Sequence, residues 1–290
     1  MENSALLGIW KELLTQGLQE DGAQWDWTTL GSLKGLVPAK KAAARAYIVA
    51  KSEGFWAAAG LVSAAQSSSC LVKSSIKDGQ RFKVGQKLVS FVGPAAEILA
   101  LERPFLNLCS FACGIATTTA DLVSRVQKAC PKNPPRVTST RKTLPYLKDI
   151  SVWGVMCGGG FAHRLGLSGG VLIKENHIAA AGGIKKAILG TRSLAPHGMK
   201  IEIEVRSLKE LKQALEAGAD GVLLDNFAPA QVSEALRVTK TAPARPFVEV
   251  SGGLNAENIA TYAIAGVDVL SVGSLTHSVK SSDLSLLIET

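Results

Sequence analysis

GVLIKENHIAAAGGIKKAILGTRSLAPHGMKIEIEVRSLKELKQALEAGADGVLLDNF (170–227) is the stretch whose reading decides the fold. It holds three apolar runs, GVLIKENH (170–177), KIEIEV (200–205) and GVLLDNF (221–227), which close on Lys174, Glu204 and Asp225. FVEVSGG (247–253) and DVLSVGS (268–274) continue the series and close on Ser251 and Gly273, while RVTSTRK (136–142) precedes it and closes on Arg141 and Lys142. From Lys174 onward these ends stand 30, 21, 26 and 22 residues apart, room for one strand and one helix per unit. In a parallel α/β barrel the C-terminal strand ends converge on one mouth, where the active site is built. The pattern therefore predicts a mouth with cations, two carboxylates and a glycine-rich phosphate cradle. Such a mouth suits a highly anionic, metal-bound phosphate substrate.

Working outward, the 290 residues are 47% hydrophobic and 19% charged, enough for a globular chain of one large barrel or two domains. The net charge of +8 favours anionic partners. The densest basic group, Lys40, Lys41 and Arg45, is short, and no basic stripe with interleaved aromatics accompanies it, so an anionic small molecule is favoured over nucleic acid. Cys70, Cys109, Cys113, Cys130 and Cys157 form an odd set without a CxxC pair, which reads as thiols in a reducing cytoplasm rather than as metal ligands. MENSALLGIWKELL (1–14) reads as an amphipathic helix, not a signal peptide, and the apolar window GFWAAAGLVSAA (54–65) is too short to span a bilayer.

The chain divides near residue 113. In residues 1–113, helix-like stretches (5–20 and 54–66) alternate with strand-like pieces (41–52 and 80–93, with a turn or bulge at Gly85), predicting an α+β layer domain. Residues 97–129 have helical periodicity, with interruptions expected near Pro104 and Gly114. PKNPP (131–135) leads into the first barrel strand, and the βα rhythm runs through 114–275. The tail, 276–290, is expected to pack back onto the first domain.

Several motifs carry chemistry. TRKT (140–143) pairs the planar fork of Arg141 with the movable point charge of Lys142 past a strand end; the plainer reading is a solvated surface pair. CGGGFAHRLGL (157–167) places His163 and Arg164 after three glycines that permit close backbone approach, which suits a site for an acid group. Lys174 opens from a buried strand and either contacts substrate or pairs with Glu204 or Asp225. The oxygens of Glu204 and Asp225 suit Mg²⁺, sugar hydroxyls, or ion pairs that seal the mouth. Glu202 faces the same way as Glu204 and is the weaker candidate. SGGLNAENI (251–259) and VGSLTHS (272–278) both read as strand, glycines, helix start, a phosphate-binding arrangement that draws on Ser251, Gly252, Gly253, Gly273 and Ser274.

In this order and spacing, TRKT, GGG..HR.GL, LIKENH, EIEV, LLDNF and SGG resemble the quinolinate phosphoribosyltransferase family. EDGAQWDWTT (20–29), LERPFLN (101–107) and GIAT (114–117) resemble its first-domain motifs, so the likeness spans nearly the whole chain. The resemblance implies an N-terminal α/β sandwich domain, an incomplete α/β barrel of seven strands, and a homodimer, with a hexamer as an alternative, in which each mouth is closed by the partner. It implies a quinolinate pocket of Arg141, Lys142, His163, Arg164 and Lys174, with Arg103 reaching in from the other subunit. It further implies that Glu204 and Asp225 serve phosphoribosyl pyrophosphate (PRPP) and Mg²⁺, that Lys142, Lys174, Glu204 and Asp225 act in catalysis, and that the 5′-phosphate rests on Ser251, Gly252, Gly253, Gly273 and Ser274, with His277 near it.

The sequence departs from the family pattern at Trp25, Cys113, Ser151–Trp153, Gly169 and Glu175, none of them a proposed ligand. A paralogous subgroup associated with molybdenum transport shares HRLGLS but generally lacks the KENH loop, so Lys174 and Asn176 favour quinolinate. Another barrel enzyme acting on a phosphorylated sugar would keep the phosphate loops without needing five cations. A non-catalytic binding protein would be expected to lack Glu204 or Asp225.

Overall fold

A computed structural model describes residues 3–34 and 43–289; Lys40 and Lys41 of the basic group lie outside them. From the N-terminus the chain forms α1 (Asn3–Glu20), α2 (Trp27–Ser32), β1 (Ala43–Ala50), β2 (Gly54–Phe55), α3 (Ala59–Ala64), β3 (Leu71–Ser74), β4 (Arg81–Phe82), β5 (Lys87–Pro94) and α4 (Ala95–Ala129). Then come β6 (Arg136–Thr138), α5 (Lys148–Cys157), β7 (Val171–Ile173), α6 (Glu175–Ala181), α7 (Ile184–Leu194), β8 (Ile201–Val205), α8 (Leu208–Glu216), β9 (Gly221–Asp225) and α9 (Pro229–Thr239). The chain closes with β10 (Phe247–Ser251), α10 (Ile259–Tyr262), β11 (Val269–Ser271), α11 (Ser274–His277) and β12 (Leu284–Ile288).

Two compact units result. The first comprises residues 1–120, 144–159 and 279–290, and the second 121–143 and 160–278. In the first, β12, β1, β5 and β3 form an antiparallel sheet in that order. The tail thus completes the sheet edge, with Ala46 opposite Ile288 and Ala50 opposite Leu284. Ile48, Leu88 and Phe91 of β1 and β5 and Ile98, Phe105 and Cys109 of α4 are fully buried, and the Phe91 and Phe105 rings meet edge to face at 5.5 Å. Residues 54–55, expected to start a helix, instead pair with β4 as a short strand, and the helix begins at Ala59, where Asp78 accepts its backbone N–H at 3.0 Å.

The expected breaks at Pro104 and Gly114 do not occur: α4 runs 35 residues without interruption. Packing overrides propensity at both points. Pro104 is buried and lies against Gly17 of α1 (3.2 Å from a Cβ built there), and Gly114 gives the room in which the Lys280 carbonyl crosses the helix. A boundary at 113 therefore falls inside a helix. By length and composition α4 could cross a membrane, but its apolar face is core: Ile98, Phe105, Cys109, Ala112 and Ile115 are fully buried.

The second unit is a parallel sheet, ordered β6-β11-β10-β9-β8-β7. It has six strands, one fewer than the resemblance implies. A single parallel bridge between Thr138 and Phe161, closed by Phe161 N–H donating to the Val137 carbonyl at 2.9 Å, stands in the seventh position. The first and last edges, Phe161 and β7, are not paired, so the barrel is incomplete. Alternation fixes what it encloses. In β8, Ile201, Ile203 and Val205 take one face and Glu202 and Glu204 the other, and all five are buried. Ladder registers place Glu204 level with Leu223, and Leu223 level with Glu249. Glu202 is level with Gly221, whose missing side chain leaves space for the Phe247 ring.

Candidate active site

Every candidate residue except Arg103 lies in the second unit. Arg103 is exposed on α4 in the first, beside a cavity of about 410 Å³ that Glu20, Asp21, Asn107 and Tyr146 also line.

Lys174 leaves β7 at the N-cap of α6. Its backbone N–H donates to His177 Nδ1 at 2.9 Å, so His177 caps this loop. The Lys174 ammonium is ion-paired with Glu204, whose side chain is only 9% exposed. Pairing with a strand-end carboxylate, one of the two readings left open for Lys174, is present in the structure. Asp225, at the end of β9, accepts from Asn226 Nδ2 at 2.9 Å and lies 3.9 Å from Arg206 Nε. Arg206, not singled out in the sequence, follows β8 directly and also pairs with Glu175; a cation one residue past a strand end was the available signal.

Arg141 and Lys142 are exposed past β6. Their loop is tied down twice: Thr140 Oγ1 accepts the Lys142 N–H at 3.1 Å, and Thr276 Oγ1 donates to the Lys142 carbonyl at 2.7 Å. Arg164 is held by its Nη1, which donates to the Gly170 carbonyl at 3.0 Å. Burial lowers the proton affinity of this guanidinium, and the charge of Arg141 lowers it further.

Sequence reasoning missed Glu249, a buried carboxylate close to the weaker candidate Glu202. Glu249 of β10 is 3% exposed and Glu202 is 6% exposed, and each has a buried oxygen without a hydrogen-bond partner. Burial first, and then Glu249 beside it, push the Glu202 carboxyl up to about 9. His163 Nε2 lies 3.3 Å from Glu249 Oε1, and Nδ1 of the same ring accepts the Arg164 backbone N–H at 2.8 Å. These side chains line a cavity of about 570 Å³ with Thr138, Gly170 and Phe247. The alternation Phe247, Glu249, Ser251 would have placed Glu249 on the face of Ser251.

The glycine loops follow β10 and β11. Gly252 (φ 102°) and Gly253 (φ 63°) take conformations that glycine alone adopts readily, and Gly252 packs on Asn226 so closely that a Cβ would collide with its amide. Asn226 itself is left-handed (φ 57°), and its N–H donates to the Ser251 carbonyl at 2.9 Å. Gly273 leaves room for the His277 ring, 3.2 Å from a Cβ built there. The helices after these loops are single turns of four residues, shorter than the sequence suggests, so backbone N–H groups of the loops rather than a helix dipole are available to a phosphate.

Residues 26–113 match the family described as "Quinolinate phosphoribosyl transferase, N-terminal domain", and residues 115–287 match its C-terminal domain. This chain belongs to the quinolinate phosphoribosyltransferase family. It is 47% identical over 203 residues to a probable nicotinate-nucleotide pyrophosphorylase [carboxylating] of Methanocaldococcus jannaschii, covering 69% of this chain and 71% of that protein. It is 39% identical to the corresponding Bacillus subtilis protein, covering 83% of this chain and 82% of the other. The solved nicotinate-nucleotide pyrophosphorylase of Francisella tularensis superposes with a TM-score of 0.87 at 31% identity, covering 98% of this chain and 97% of that one.

Departures from the quinolinate phosphoribosyltransferase pattern find local partners here. Trp25 stacks on Trp27 at 5.9 Å. Ser151 Oγ donates to the Leu147 carbonyl at 2.6 Å, and Trp153 Nε1 donates to Asp78 Oδ2 at 3.3 Å. Glu175 is long enough to engage Arg206.

Proposed function

We propose that this chain is a carboxylating nicotinate-nucleotide pyrophosphorylase of NAD biosynthesis, which transfers the phosphoribosyl group of PRPP to quinolinate and releases pyrophosphate and CO₂. The observation that carries this reading is the set of cations on the strand ends and loops of one barrel: Arg141 and Lys142 exposed past β6, Arg164 tied to the Gly170 carbonyl just before β7, and Lys174 at the end of β7 paired with Glu204. Cations of one sign on a single barrel favour a polyanion, and quinolinate and PRPP are both polyanions. Arg141, Lys142, Arg164 and Lys174 bind the two carboxylates of quinolinate, and Ser251, Gly252, Gly253, Gly273 and Ser274 hold the 5′-phosphate. His277, whose Nδ1 lies 2.8 Å from Ser278 Oγ, flanks that cradle.

The chemistry follows from charge. The ring nitrogen of quinolinate forms a bond to ribose C1 as the C1–O bond to pyrophosphate breaks, and Glu204 and Asp225 stabilise the positive charge that grows on the sugar. The ring nitrogen of the product is cationic. It accepts the electron pair released when the adjacent C–CO₂ bond breaks, and a proton then takes the vacated carbon, leaving nicotinate mononucleotide. Positioning in a water-poor mouth supplies much of the rate.

Mg²⁺ fits the donor set, because the oxygens of Glu204 and Asp225 are hard ligands at neighbouring strand ends. Glu204 is already engaged by Lys174, so Asp225, partly exposed, is the group that would hold the ion or its water. When bound, the ion supplies charge neutralisation on the pyrophosphate. A homodimer in which Arg103 enters the partner's mouth completes the cation set. Five free cysteines suit a reducing cytoplasm. The test is incubation with quinolinate, PRPP and Mg²⁺, with detection of nicotinate mononucleotide and CO₂.

A further inference from the structure

Alternation along β8 puts Glu202 and Glu204 on one face, the face that lines the barrel cavity, and continues to Arg206, the first residue past the strand. The ladder between β8 and β9 ends with Val205 level with Leu224, so the next step sets Arg206 level with Asp225, the end of β9. Asp225 is in turn level with Ser251, the end of β10 and the start of the glycine cradle. Ser251, Asp225 and Arg206 thus form one row across three neighbouring strand ends, two strand spacings or about 10 Å long. The Arg206 side chain is half exposed. Its Nη1 pairs with Glu175, and its Nε lies 3.9 Å from Asp225 Oδ2. A guanidinium carries five N–H donors, more than the pairing with Glu175 takes up.

We infer that Arg206 binds the pyrophosphate of PRPP, the leaving group, at the end of this row opposite the 5′-phosphate cradle. This rests on the phosphoribosyl-transfer reading given above. PRPP carries a phosphate on one side of its ribose and the pyrophosphate on the other. A mouth that seats the first on the loop after β10 needs a cation one ribose away. The row supplies the groups in order: the glycine cradle on β10, a carboxylate on β9 beside the sugar, a guanidinium on β8. The planar fork of an arginine matches phosphate oxygens two at a time. When the C1–O bond breaks, its electron pair stays on the pyrophosphate oxygen, and the charge that gathers there meets the guanidinium. Glu175 holds Arg206 at the row through its ion pair. Lys174, paired with Glu204 on the β7 side of β8, is left to the acceptor acid.

The experiment titrates inorganic pyrophosphate with Mg²⁺ into wild type, Arg206→Gln and Glu175→Gln by calorimetry, and determines KM for PRPP and for quinolinate alongside. Loss of a charge-assisted contact corresponds to about 10- to 100-fold. Arg206→Gln should weaken pyrophosphate binding and raise KM for PRPP by that factor, with KM for quinolinate within about twofold of wild type. Glu175→Gln keeps the guanidinium and removes a carboxylate beside the polyanion, so pyrophosphate should bind at least as tightly as to wild type. Unchanged pyrophosphate affinity in Arg206→Gln overturns the inference, as does an equal rise of both KM values, which marks a role in folding alone. A loss in Glu175→Gln as large as that in Arg206→Gln also overturns it, because the ion pair and not the guanidinium would then matter. A further readout needs no variant: saturating pyrophosphate should slow phenylglyoxal modification of Arg206 in wild type, followed by peptide mass spectrometry, and quinolinate should not. An unchanged modification rate overturns the inference even if Arg206→Gln does not fold. Failure of the underlying reading is distinct, because wild type would then form no nicotinate mononucleotide from quinolinate and PRPP, whereas the pyrophosphate titration needs no acceptor.

Discussion

Lys174 and Glu204 form an ion pair across the ends of two neighbouring parallel strands, β7 and β8, with the carboxylate buried and the ammonium half exposed. On the proposed reading, Lys174 meets the substrate, and this pair would then aim its ammonium from one of the carboxylates that follow it in sequence. Lys174→Ala should leave Glu204 buried and unpaired, costing roughly 1–3 kcal/mol of stability and a larger share of activity. Adding Glu204→Gln to Lys174→Ala should restore most of the stability and none of the activity. Denaturant melts of the two single variants and the double variant measure this; simple additivity would mean that the pair does not interact.

Tyr146 has φ 63° and is 91% exposed. A bulky residue in the left-handed region costs on the order of 1–2 kcal/mol with no burial to offset it. Tyr146→Gly should therefore be neutral to stabilising despite the added chain entropy, and Tyr146→Val should be destabilising. Equal stability of both variants would show that the backbone relaxes in solution.

Stability should depend on Glu202. Its folded-state pKa is about 9, against an ordinary 4.5, chiefly because of burial. Between those values the folded state holds a proton that the unfolded chain has released, so stability is full below pH 4.5 and declines as pH rises toward 9. Glu202→Gln should flatten that decline. Unfolding midpoints measured across pH 5–9 for both proteins test it, and parallel curves would contradict it.

If Arg103 completes the partner's site, Arg103→Ala and Lys174→Ala should complement each other. After full exchange of an equal mixture, about half of the dimers are mixed and each carries one intact mouth. Activity should reappear on mixing. Its absence despite demonstrated subunit exchange would place Arg103 in its own chain's chemistry.

The barrel rhythm and the strand-end residues Lys174, Glu204 and Asp225 were legible because a parallel strand buried on both faces leaves a run of apolar residues, and its end is marked by the first polar side chain. Glu249 escaped notice because it sits one pleat inside the strand, where a polar residue between two valines looks like ordinary alternation; only the folded structure brings it close to Glu202 and His163. Pro104 misled for the opposite reason: its local rule is sound, but contact with Gly17 outweighs one lost hydrogen bond. The Arg206 contacts with Glu175 and Asp225 join residues 31 and 19 positions apart, and no local pattern announces them.

The most direct measurement is product analysis after incubating the purified protein with PRPP, Mg²⁺ and either quinolinate or nicotinate. Quinolinate should give nicotinate mononucleotide, pyrophosphate and CO₂ in equal amounts. Nicotinate, which leaves a cation of the pocket unpaired, should react up to about 10⁴-fold less efficiently. No nucleotide from quinolinate, or comparable turnover of both acids, would contradict the assignment.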